Sequence, residues 1–249
     1  MNTICIVSYA KYMENKKLGK YIDSFDKVIR INNGINILNK EDLGSKTDIV
    51  SLSFNEGKMR MIVKSYNFLN KTKFDEIFDI LLKENIKNIL FVDFIYKYKF
   101  PQLKEYNIIT NSGKYIDIFS IITTGLSTII CALKMEHKKL FVCGFDFTMS
   151  LYKGYDDLYK MIRKHVNRLN KTYEECLENW HSTELERYLF KKLWINYNFE
   201  IDDDLSKILD NFETVNLDNK IFSINIENTL LENEYIYIFE EIIKIINNK

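Results

Sequence analysis

The sequence predicts an α/β fold, a mostly parallel sheet flanked by helices, and two observations carry that expectation. Short β-rich runs bounded by polar segments occur at TICIVS (3–8), KVIRIN (27–32), DIVSLS (48–53), NILFVD (88–93) and KLFVCGF (139–145). Helical patterns lie between the later runs, at EIFDILLKEN (76–85) and LSTIICALKME (126–136). Strands that alternate with helices form the crossover units of a parallel sheet. Ligands of such sheets bind beyond the carboxyl ends of the strands, where the strand order reverses. The residues that follow each strand are therefore the first candidates: Ser8 and Tyr9, Asn32 and Asn33, Ser51 and Ser53, and Gly144, Phe145, Asp146 and Phe147.

Composition sets the remaining bounds. A chain of 249 residues with 46% hydrophobic content can bury a sizeable core. Its 35 basic and 35 acidic residues cancel, so no global field favours nucleic acid or an anionic membrane surface, and a partner must be recognised locally. No repeat, linker or composition break divides the chain, which is expected to form a single domain over 1–249. Cys5, Cys131, Cys143 and Cys176 are widely spaced, without a C-x-x-C pair or a histidine at metal-ligand distance. They are expected to be free buried thiols of a reducing compartment. The start MNTICIVSYAKY has no basic n-region, and the longest apolar stretch, FSIITTGLSTIICAL, falls short of the ~18–20 residues that span a bilayer. A soluble, cytoplasmic protein is the expectation.

From Thr148 to Trp180 the pattern turns polar and rich in Tyr and Lys. A segment of this kind after a strand end is where a lid is expected, at about 148–180. Beyond it, ERYLFKKLW is an amphipathic helix and DLSKILDNFETVNL a helix followed by a last strand. The C-terminal YIYIFEEIIKIINNK is an apolar-faced helix, expected to dock on the core, with peripheral membrane contact or self-association as alternatives.

Three stretches can carry chemistry. In SIITTGLSTIICAL, Thr123 and Thr124 precede a helical run that Gly125 opens. Such a helix start binds phosphate or carboxylate, and a glycine there lets a ligand approach the backbone; the same residues also make an ordinary cap. In WHSTELERY, Thr183 and Glu186 fit a capping box, which leaves His181 just outside the helix. The positive pole of the helix would favour the neutral, proton-accepting imidazole. Asn32 stands where a strand ends, and Asn-Asn-Gly is also plain turn chemistry. His137, between a helix and a strand, reads as a charge at a helix C-terminus.

Taken together, these stretches resemble a known family. GKYIDSFDKVIRINN followed by EDLGSKTD resembles the large sialylmotif of the animal-type sialyltransferases, TTGLSTIICALKMEHKKLFVCGF their small sialylmotif, and HSTELE the His-x4-Glu of their very small motif. The same blocks are similar to those of the bacterial lipooligosaccharide sialyltransferases. The resemblance covers about residues 1–195. One departure stands at the first strand, where these families carry Gly-Asn and this chain carries Ser8-Tyr9-Ala10.

The resemblance implies a Rossmann-like, GT-A-like nucleotide-binding domain. It implies inverting transfer of sialic acid from CMP-sialic acid to a hydroxyl of an oligosaccharide or glycolipid acceptor, with no metal and no other cofactor. It also implies roles for named residues. His181 would be the catalytic base. Ser8, Asn32, Ser51, Thr123, Thr124, Gly125, Gly144, Phe145 and Asp146 would hold the donor, and Glu186 would position the loop that presents His181. Tyr152, Tyr155, Tyr159 or His165 would stabilise the departing phosphate, with a solvated helical position as the other reading of His165.

Overall fold

The computed structural model describes residues 1–31, 39–52, 81–91, 104–110, 122–147, 183–210 and 228–247. Their strands are β1 (Asn2–Val7), β2 (Lys27–Ile31), β3 (Ile49–Leu52), β4 (Asn88–Phe91), β5 (Asn107–Thr110), β6 (His137–Cys143) and β7 (Glu200–Ile201). They form one sheet of order β5-β4-β3-β2-β1-β6-β7 in which every neighbouring pair is parallel. The order runs outward from β1 through β5, then returns to β1's other edge for β6 and β7. The chain therefore folds as a Rossmann-like α/β sheet whose topological switch lies between β1 and β6.

The helices with described bounds are α1 (Gly19–Asp23), α2 (Lys40–Leu43), α3 (Thr124–Lys134), α4 (Thr183–Tyr197), α5 (Asp203–Asp210) and α6 (Asn228–Asn247); residues 81–83, within the helix expected over 76–85, are also helical. Alternation along the strands assigns them to two faces. Ile4 and Ile6 of β1, with Ile29 and Ile31 of β2, join a core built from α3, α4, α5 and α6. Cys5, Val7 and Val28 point the other way, onto Met13, Ile22 and Leu43 from the segment around α1 and α2. Strands covered on both faces read as continuous apolar runs, which is why β1 to β4 and β6 were visible in the sequence within about two residues.

Two strands went unseen. β5 is the short run NIIT, and β7 is two residues long, held by pairing with Phe141 and Val142 and by a Lys139–Glu200 ion pair at 2.7 Å. The helix expected over 126–136 begins earlier, because the Thr123 hydroxyl caps it by accepting from Leu126 N at 3.2 Å. His137 differs from its reading as a helix-end charge. It opens β6, with Nδ1 2.7 Å from the Met135 carbonyl. The last strand expected at the end of DLSKILDNFETVNL, Cys176 and the lid segment lie outside the described residues. Cys5, Cys131 and Cys143 are buried thiols that form no disulfide.

α6 docks on the core, laying Ile238, Ile242, Ile245 and Ile246 into the first cluster. No helix among the described residues is long and apolar enough to cross a membrane.

Candidate active site

At the carboxyl edge of the sheet, β1 and β6 stay paired slightly past their strand ends. Ser8 N donates to Cys143 O and Ala10 N to Gly144 O, both at 3.0 Å. Gly144 has φ +75°, and a Cβ there would stand 2.4 Å from Ser8 O. Only glycine turns the chain so close to its neighbour. Its carbonyl is taken by Ala10, and its amide donates to Asp202 Oδ2 at 3.2 Å. Ser8 is half-buried beside it, while Phe145 and Asp146 are buried as the chain leaves β6.

α3 ends close to the start of β6 and runs back over the sheet, so its N-terminus lies at this same edge. Atomic contact bears this out. A Cβ on Gly125 would meet Phe145 Cε1 at 2.6 Å, and Phe145 in turn packs on Phe190 of α4. Gly125 therefore makes room for an aromatic ring of the protein itself, where the sequence suggested room for a ligand. Gly125→Ala should cost about 1–3 kcal/mol by overpacking, read as a lower melting temperature; an unchanged transition would show that Phe145 moves aside freely.

The N-terminus of α4 arrives at the same place. Both oxygens of Glu186 reach the cap of α3. One accepts from the Thr123 amide and the other from the Thr123 hydroxyl, the latter at 2.8 Å. The next residue, Arg187, holds its guanidinium over the Phe147 ring, 5.7 Å from the centroid. α4 begins at Thr183, which is thus the first residue of the helix where the expected capping box would make it the cap. Its Glu186 carboxylate serves α3 across a separation of 63 residues. Two positive helix poles therefore converge at the β6 exit, joined by one buried carboxylate.

Ser51 is placed differently from its reading as a donor contact. It is 0% exposed, and its hydroxyl shares a 2.6 Å hydrogen bond with Thr128, which also donates to the Thr124 carbonyl at 2.6 Å. Ser51 fastens α3 to β3 inside the core. Thr124 is half-buried in the first turn of α3. Asn32, Tyr152, Tyr155, Tyr159, His165 and His181 lie outside the described residues.

The segment resembling a large motif is a scaffold where it is described. Arg30, 1% exposed, donates through Nε to Lys46 O and Thr47 Oγ1 and through its terminal nitrogen to Leu43 O, at 3.1, 2.9 and 2.8 Å. Asp23 accepts from the amides of Ser45 and Lys46 and from the Ser45 hydroxyl. Burial pushes the Asp23 carboxyl up, but those donors and the Arg30 charge outweigh it and hold it below its ordinary range. These contacts fix the end of β2, one residue before Asn32.

Sequence reasoning missed Tyr12, Arg187 and Asp202. The triple Asp202-Asp203-Asp204 before LSKIL signals a helix cap, and nothing in its spacing points to the distant β1 exit.

The family model for glycosyltransferase family 29 (sialyltransferase) matches residues 2–196. No curated protein gives a match to the chain.

Proposed function

Because the chain belongs to glycosyltransferase family 29, the sialyltransferases, we propose that it transfers sialic acid from CMP-sialic acid to a glycan hydroxyl, with inversion and without a metal. The acceptor oxygen bonds to the anomeric carbon as that carbon's bond to the CMP phosphate oxygen breaks. The acceptor proton passes to His181, and the bonding pair leaves with CMP. Such a reaction needs a base, a seat for two anionic groups, and donors for the leaving phosphate. His181 is the base, and Asn32 with the backbone of the Thr123-Thr124-Gly125 helix start seats the donor, the space at Gly125 itself being filled by Phe145. Tyr152, Tyr155 and His165 are the candidates to meet the phosphate.

One observation carries the reading. The bonds from Thr123 to Glu186 fix the start of α4, two residues past His181, to the helix start assigned to the donor. A base just ahead of α4 and a donor seat at the start of α3 would then share one edge of the sheet, which supports the reading. The Ser8-Tyr9-Ala10 exit of β1, in place of Gly-Asn, favours a second reading: another CMP-activated keto sugar as donor, or nucleotide or glycan binding without turnover.

Incubation with CMP-sialic acid, following CMP release with and without EDTA, tests both. CMP release at an unchanged rate in EDTA is expected. Release that EDTA abolishes and Mn²⁺ restores would overturn the metal-independent mechanism, and tight CMP binding without release would favour the non-catalytic reading.

A further inference from the structure

The Asp202 carboxylate lies at the switch point. Asp202 follows β7, is 8% exposed, and divides its two oxygens between two tasks. Oδ1 caps α5, accepting from the amides of Asp204 and Leu205 at 3.1 and 2.9 Å. Oδ2 accepts from the Tyr12 hydroxyl at 2.8 Å and from the Gly144 amide at 3.2 Å. Tyr12 sits in the 3-10 turn that follows β1, and Gly144 is the first residue past β6. The carboxylate thus joins both strand exits that flank the switch. The Asp202 amide donates to Val142 O at 3.3 Å, so the tether is itself anchored to β6. Burial, reinforced by the Asp202 charge, pushes the Tyr12 phenol far above its ordinary range, so it stays a hydroxyl donor throughout the working pH range.

A helix cap needs only one of these oxygens. The second holds β1's exit turn against β6's exit, and so sets where the two chains part beyond Ala10 and Gly144. We propose that Asp202, acting through Tyr12 and Gly144, is a positioning residue that shapes the mouth of the nucleotide crevice. Asp202 lies outside the matched residues 2–196, so the C-terminal segment of this chain finishes a crevice whose motifs lie upstream. The inference rests on the CMP-sugar reading of the same site.

Tyr12→Phe removes one hydrogen bond and leaves the ring. Asp202→Asn keeps an oxygen for the α5 cap but turns an NH₂ toward the Gly144 amide, donor against donor. Each variant should weaken CMP binding by about 3- to 10-fold, the worth of one hydrogen bond, measured by calorimetry below both melting transitions. The double variant should bind CMP about as well as Asp202→Asn alone, because both changes cut the same connection. Amide exchange should quicken at residues 8–14 and 144–147. Wild-type CMP affinity in both variants, even with lowered melting temperatures, would make the tether purely structural and overturn the proposal. If the wild-type protein fails to bind CMP, the nucleotide reading fails first and exchange alone decides: unchanged protection at both exits overturns the tether's positioning role, and faster exchange confined to them supports it.

Discussion

His181→Ala is expected to slow CMP release from CMP-sialic acid by about 10²- to 10⁴-fold, the usual contribution of a positioned general base, while the melting temperature stays that of the parent. The reasoning starts from charge. An acceptor hydroxyl cannot attack an anomeric centre while keeping its proton, and the composition offers only three histidines. One of them, His137, is committed to the start of β6 at the opposite edge of the sheet. His181 stands two residues ahead of α4 in the sequence, which is why it is the proposed base. Initial rates at saturating donor and acceptor, alongside thermal melts, make the comparison. A variant that kept more than a tenth of the parent rate would take His181 out of the chemistry without touching the family assignment.

Glu186→Ala should produce the second-largest effect, on stability and rate together. The Glu186 carboxylate is buried, and its loss leaves the amide and hydroxyl of Thr123 without the acceptor that holds them. Charged hydrogen bonds of this kind contribute about 1.5–3 kcal/mol each, and the pair is not fully additive, so a loss of about 2–4 kcal/mol is expected. The rate should fall as well if, as proposed, the base ahead of α4 and the donor seat at the start of α3 depend on the two helices this carboxylate joins. Glu186→Gln separates geometry from charge. Its amide oxygen still accepts from Thr123 N, and most of the stability and rate should return if position is what matters. A Gln variant as slow as the Ala variant would mean that the charge itself is required, and an Ala variant that melts with the parent would remove the tie altogether.

Much of the framework was legible in the sequence for a physical reason. A strand buried on both faces must be apolar throughout, and TICIVS, KVIRIN, DIVSLS, NILFVD and KLFVCGF are nearly so. The start of α3 was legible because a threonine cap is a local device, written in adjacent residues. Contacts across the fold were not. Alternation cannot tell which face of a doubly covered strand meets a ligand, so Ser51, read as facing the donor, turned out to face Thr128. Gly125 looked equally suited to a ligand and to a ring, and only the packing of Phe145 decides for the ring. β7 has too few residues to carry a pattern, and with it went the position of Asp202.

The Tyr12–Asp202 bond spans 190 residues of sequence, and this has a kinetic consequence. A ribosome delivers β1 through β5 well before β6 and β7 emerge, so the nascent chain holds an unpaired β1 edge while it waits for its second neighbour. Closing so long a loop is slow and entropically unfavourable, and the waiting edge is open to pairing with other chains. The mouth of the crevice can therefore close only after the chain has left the ribosome as far as Asp202.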